Sequence, residues 1–169
     1  VYDANGRVTH NIDYPTNGTG VSASKITEQR TTEFEYDHLD RQTAVAVLGA
    51  CPDHDWRVVF GLARYAALRR CEIVTLTWDD ILWDINRIRI DSPKTGLRFC
   101  PLFPELVPIL RDAYEAADDG TVYLTRYRDR SNLGTHLNRI IAKAGVTPWP
   151  KTFHNLRATR RTELEKDQT

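Results

Sequence analysis

At 169 residues the chain can enclose one hydrophobic core and little more. Its 41% hydrophobic and 27% charged residues are those of an ordinary globular protein, and no apolar run approaches the roughly 18 residues of a membrane span. Net charge is zero, which excludes a uniformly basic protein, but the mean hides a gradient. Residues 1–56 carry 4 Lys+Arg against 9 Asp+Glu, and residues 57–169 carry 19 against 14. Between 122 and 161, nine basic residues from Arg126 to Arg161 face a single acid, Asp129. Such a stretch is either a solvated basic surface or the footprint that phosphate backbones select. No signal-peptide pattern opens the chain, and the three cysteines (Cys51, Cys71, Cys100) form no C-x-x-C pair. They read as reduced, mostly buried thiols of a cytoplasmic protein. There is no methionine, even at position 1, so the sequence is expected to be a piece of a longer protein.

Residues 1–36 lack apolar periodicity and are rich in Thr, Asn, Gly, Ser and acids, which reads as a flexible linker or tail with a short ordered end near Thr32–Tyr36. Residues 37–169 then form one domain. Asp40 is expected to cap a helix over Arg41–Ala50, and a second helix covers about Asp55–Ala67. A third begins near Arg70 and runs through Ile73, Val74 and Leu76 to Trp78. The period then changes. Arg87-Ile88-Arg89-Ile90 alternates charged and apolar residues, and Arg98–Leu102 does so less cleanly. With Pro93 and Gly96 between them, these predict a β-hairpin whose tip spans Asp91–Leu97. Pro104 opens a helix over Glu105–Ala117, and Val122–Leu124 is placed as a short edge strand. Ser131 or Asn132 caps a helix through Leu133, Leu137, Ile140 and Ile141 that Gly145 stops. A last helix begins around Phe153–His154. The fold class is mainly α with a small antiparallel β-sheet.

Four basic residues stand in contexts that point to chemistry: Arg69 in R-x-x-E with Glu72, Lys94 in S-P-K-T-G, and His154 and Arg157 in H-x-x-R. Phosphoryl transfer needs charge neutralisation at the phosphate, a proton for the leaving oxygen and an aligned nucleophile. Arginine suits the first, because its planar fork donates bidentately and stays protonated. Lysine on a hairpin tip can act as the general acid. His154 lies one helical turn before Arg157, so both can serve one site. Taken singly, each has a plain reading: a surface ion pair, a solvated turn, a helix cap.

Their order and surroundings resemble those of the tyrosine recombinase (phage integrase) family. The family's first box, G-L-R-x-x-E-L followed by L-x-W-x-D-I, is similar to Ala67-Leu68-Arg69-Arg70-Cys71-Glu72-Ile73 and Leu76-Thr77-Trp78-Asp79-Asp80-Ile81. Its hairpin lysine before Thr-Gly and a strand ending in Pro-Leu matches Lys94-Thr95-Gly96 and Pro101-Leu102. Its second box, H-x-L-R-x-T, matches His154-Asn155-Leu156-Arg157-Ala158-Thr159. Ala67 stands where glycine is usual and is expected inside a helix. The resemblance covers about residues 38–165 and implies a DNA breaking-rejoining catalytic-domain fold acting without metal or other cofactor. It implies that Arg69 and Arg157 hold the phosphate, Lys94 protonates the leaving oxygen and His154 assists a tyrosine that forms a 3′-phosphotyrosyl intermediate. Glu72 then orients Arg69, and Arg70 is the rival for Arg69's role. In the family the tyrosine follows the second box by more residues than remain here, and no tyrosine follows Arg157. The expectation is therefore an incomplete catalytic domain that binds double-stranded DNA without cutting it, self-associating only as part of a full-length protein.

Two other readings remain open. One is a non-catalytic DNA-binding remnant, which the basic 122–161 segment fits equally. The other is a metal-dependent nuclease built on Asp91 and Lys94 in D-x-x-K, although the same strand offers no second acid. Zinc has less support, since scattered histidines and isolated cysteines make no ligand cluster.

Overall fold

A computed structural model describes residues 41–128 and 132–166, so the expected linker, Thr32–Tyr36 and the Asp40 and Ser131 caps lie outside the described residues. The elements run α1 (Arg41–Ala50), α2 (His54–Tyr65), α3 (Arg70–Ile73), β1 (Ile81–Leu82), β2 (Arg87–Ser92), β3 (Gly96–Pro101), α4 (Leu106–Glu115), α5 (Leu133–Lys143) and α6 (Thr152–Lys166). Helices dominate and the three strands form one antiparallel sheet in the order β1-β2-β3.

The core is built around α2. Asp53 caps it, its carboxylate accepting from the Trp56 amide at 2.8 Å. Val58, Val59, Phe60, Leu62 and Ala63 are all fully buried, so this helix has almost no wet face. Gly61 permits the closest approach to α4: a Cβ there would meet Leu106 and Ile109 side-chain atoms at 3.1 Å. Leu110, Leu137, Ile141 and Leu156 bring α4, α5 and α6 into the same core.

Two departures from the sequence reading position the site. The helix expected to run through Ala67 ends at Tyr65, and Ala67 takes a left-handed conformation, φ 53°. Its neighbour Leu68 donates from its amide to Leu62 O at 3.1 Å and is fully buried. This reverses the chain out of α2 and starts α3 at Arg69–Arg70. Ala67 is thus not inside a helix but at the left-handed exit that glycine usually fills. Ala67→Gly is expected to raise the unfolding free energy by about 0.5–1 kcal/mol in a urea titration. A loss of stability would contradict the strained assignment.

The third helix, expected to reach Trp78, stops after four residues. The Thr75 hydroxyl donates to Cys71 O (3.2 Å) and Glu72 O (2.9 Å), taking carbonyls that a longer helix would use. Thr77 then donates from its amide and hydroxyl to Asp80 at 2.9 and 2.8 Å, opening a separate 3-10 turn over Trp78–Asp80. The strand β1, absent from the sequence reading, follows and pairs Ile81 with Ile88 and Leu82 with Arg87. Val122–Leu124 forms an isolated bridge, Thr77 to Tyr123, rather than a strand.

The hairpin is as expected but its tip is tighter. Ser92 O accepts from the Thr95 amide at 3.1 Å around Pro93 and Lys94, and Gly96 (φ 69°) turns the chain into β3. The register pairs Ile90 with Arg98 and Arg89 with Phe99. Arg98 therefore shares the face of the buried Ile88 and Ile90, while Leu97 and Phe99 are 61% and 53% exposed. That inversion explains the unclean alternation in β3.

Candidate active site

Arg69 stands at the start of α3, its backbone amide donating to Glu72 at 2.7 Å and its guanidinium to the other carboxylate oxygen at 2.9 Å. Glu72 is almost wholly buried. Arg98 reaches it from β3 with a two-pronged contact, Nη1 at 2.9 Å and Nη2 at 2.8 Å. Burial alone would raise the Glu72 pKa, but the hydrogen bonds from Arg98 and Arg69 outweigh it and hold the carboxyl down at about 2. Glu72 is thus a fixed anion that orders two guanidiniums, and it makes no approach to solvent.

Arg157 comes from the middle of α6, where its Nε donates to Ala67 O at 2.7 Å. Partial burial lowers its pKa, followed by the positive charges of Arg69 and Arg98, against which Glu72 acts in the opposite direction. Three guanidiniums therefore share one neighbourhood with one buried carboxylate. The charge left over is positive, and an anion is what completes it.

Lys94 is exposed on the hairpin tip. The next residue, Thr95, accepts from Arg98 at 3.1 Å and from Arg69 at 3.5 Å, which ties the tip to the arginines. His154 is exposed on α6, three residues before Arg157, and borders a separate hollow with Arg70 and Lys151. The structure thus brings Arg69 and Arg157 together, joins Lys94 to them through Thr95, and sets Arg70 on the His154 side.

Arg98 was not among the residues singled out from the sequence. The available signal was register: counted across the hairpin from Ile90, Arg98 falls on the buried face.

The α6 helix is fixed by a second charged cluster. Buried Arg64 donates to both oxygens of Glu163, one contact at 2.9 Å. Arg160 Nε donates to Tyr65 O at 2.9 Å, pairs with Glu163 at 3.3 Å and lies over the Phe103 ring at 4.3 Å. The basic 122–161 segment is consequently not one free face. Arg126 pairs with Asp53 at 2.5 Å, Arg161 with Glu165 at 2.9 Å, and Arg160 is buried. The cysteines are free and of intermediate burial. Burial pushes the Cys51 thiol up to about 12 and raises that of Cys100. Both are therefore poor nucleophiles. Among the described residues, no three His, Cys, Asp or Glu side chains gather to hold a metal ion. None of the described helices is long and apolar enough to cross a membrane.

The model of the phage integrase family matches residues 30–169. The chain belongs to the phage integrase family. This integrase-family domain also has the fold of solved tyrosine recombinase catalytic domains. The crystal structure of XerA recombinase superposes with a TM-score of 0.64 at 22% identity, over 78% of this chain and 50% of that one. A lambda integrase (75–356) dimer bound to a COC′ core site gives 0.61 at 19% identity, over 76% and 52%. The lambda integrase catalytic core gives 0.58 at 19% identity, over 76% and 83%. The integrase-family chain thus spans about half the length of the first two. No curated protein matches it.

Proposed function

We propose that this domain is the catalytic part of a site-specific DNA recombinase and grips a phosphodiester of double-stranded DNA. The supporting observation is the Arg69–Arg98–Arg157 cluster with Glu72 as its single buried counter-ion. In this reading Arg69 and Arg157 neutralise the two non-bridging phosphate oxygens, and Glu72 and Arg98 hold Arg69 in place. A tyrosine oxygen attacks phosphorus while His154 takes its proton. The P–O bond to the 5′-oxygen breaks, and Lys94 gives that oxygen a proton. A 5′-hydroxyl of a partner strand reverses the step. The seven tyrosines all precede Arg157, so in this reading none of them stands in the nucleophile's place.

The test is fluorescence anisotropy with a labelled duplex across a salt series, followed by denaturing electrophoresis with a nicked duplex. Binding that weakens steeply with salt and yields no covalent adduct is the expected result. Absence of binding at low salt would overturn the reading, and an adduct would overturn the assignment of the nucleophile. A full-length protein that bound the duplex without cleaving it would instead favour a DNA-binding remnant.

A further inference from the structure

Beside the arginine cluster lies a hollow of about 560 Å³ to which Arg70, Thr135, Asn138, Lys151 and His154 contribute. Among the described residues no carboxylate lines it. The other cavities differ in this respect: one holds Asp53, Asp55 and Asp118, another Asp79 and Asp84, and a third Glu165. Neither Arg70, Lys151 nor His154 forms an ion pair with any described residue. A concave wall carrying the cations Arg70 and Lys151, unbalanced by acids among the described residues, calls for an anion.

Three further features agree. Lys151 sits at φ 50°, a conformation that costs a lysine about 1 kcal/mol and that glycine or asparagine would fill more cheaply. It is held there because Lys151 O accepts from the His154 and Asn155 amides at 2.8 and 3.1 Å, starting α6. The first turn of α5, with Gly134 and Thr135, also borders the hollow, and its cap residue Asn132 makes no side-chain cap bond. Neither α5 nor α6 has an acid in its first turn. Finally, Thr152 donates through its hydroxyl to Asn138 Oδ1, so the amide group of Asn138 keeps its donors for a ligand.

We infer that this hollow holds a second, non-scissile backbone phosphate of the same duplex, gripped by Arg70 and Lys151. The inference rests on the DNA reading above. Three residues of α6, about 4.5 Å of helix rise, separate His154 from Arg157, so the two anion sites are contiguous and one DNA backbone can fill both. Arg70 is then not a rival for the scissile phosphate. It fixes the position of the backbone one step away, a contact that positions DNA without reading its sequence.

The test compares salt-dependent duplex binding by the wild-type chain, Arg70→Ala, Lys151→Ala and the double variant. Each released phosphate contact lowers the slope of log K against log salt by about 0.9, so the double variant is expected to lose close to 2, equally on unrelated sequences. Lys151→Arg should restore the slope. Both side chains are exposed, so the unfolding midpoints should not move. An unchanged slope and affinity in the double variant would overturn the inference while leaving duplex binding by the wild type intact. Failure of the wild type to bind would fall on the DNA reading instead. Inorganic phosphate is the second probe, followed through the His154 imidazole signals. Tight binding that Lys151→Ala abolishes, with no change in duplex slope, would assign the hollow to a free small anion and equally overturn the proposal.

Discussion

Glu163→Ala should destabilise the domain by about 1–3 kcal/mol, because two largely buried guanidiniums lose a carboxylate that is itself about a third exposed. Arg64 is 1% exposed and Arg160 8%, so neither guanidinium can turn to water once the carboxylate is gone. Arg160 would keep its bond to Tyr65 O and its longer contact with Glu105 at 3.7 Å. Arg64 gives up both of its bonds to Glu163 and is the more deeply buried of the two, so its loss sets the size of the effect. The consequence extends to function, because α6 also carries Arg157. Weaker docking of α6 on α2 loosens the Arg157 bond to Ala67 O and with it the phosphate grip. Chemical denaturation measures the loss, and hydrogen exchange should show it concentrated in α6. A change below about 0.5 kcal/mol would mean that the cluster is not the anchor of that helix.

Glu72→Gln should cost roughly 3 kcal/mol at neutral pH and flatten the acid limb of the stability curve. The sign follows from the direction of the shift. The folded-state pKa is depressed from 4.5 to about 2, so the stabilisation is fully present above the ordinary carboxylate range. It disappears as pH falls through that window. A carboxyl held down from 4.5 to about 2 corresponds to roughly 3 kcal/mol, and Glu72, 2% exposed, is shielded enough for that conversion to apply. Glu163 is also held low, by Arg64 and Arg160 against the effect of burial, so the variant keeps a residual slope. Unfolding free energies measured from pH 5 to pH 2 check this. Parallel curves for variant and wild type would show that Glu72 is not the ionised centre of the arginine cluster.

Much of this fold was legible in the sequence because periodicity carries it. Leu106, Ile109, Leu110 and Ala113 on one face predicted α4, and Leu133, Leu137, Ile140 and Ile141 predicted α5, each within a residue or two. Arg87–Ile90 gave the hairpin for the same reason. Illegible features depended on single hydrogen bonds or on distant partners. The Thr75 hydroxyl that ends α3 and the Thr77–Asp80 cap that opens the next turn compete locally with helix continuation, and periodicity does not register them. Ala67 looked harmless because alanine favours helices, whereas its burial-driven neighbour Leu68 forces the reversal.

The site was legible in part. Arg69, Lys94, His154 and Arg157 stood out through their boxes, and the Arg69–Glu72 spacing already implied a pair. Arg98 did not, since its meeting with Glu72 spans 26 residues and two elements. The charge run at 122–161 promised more than it delivers, because Asp53, Asp55, Glu163 and Glu165 neutralise part of it within the fold.

The central claim is that Arg69 and Arg157 form one phosphate grip, ordered through Glu72 and Arg98. Resonances of the arginine Nε–H groups, followed as duplex DNA is added, test it most directly. The account predicts that signals of Arg69, Arg98 and Arg157 move together and saturate at one duplex concentration, while those of the internally paired Arg126 stay in place. Movement of Arg126 with a silent Arg69–Arg98–Arg157 cluster would contradict it.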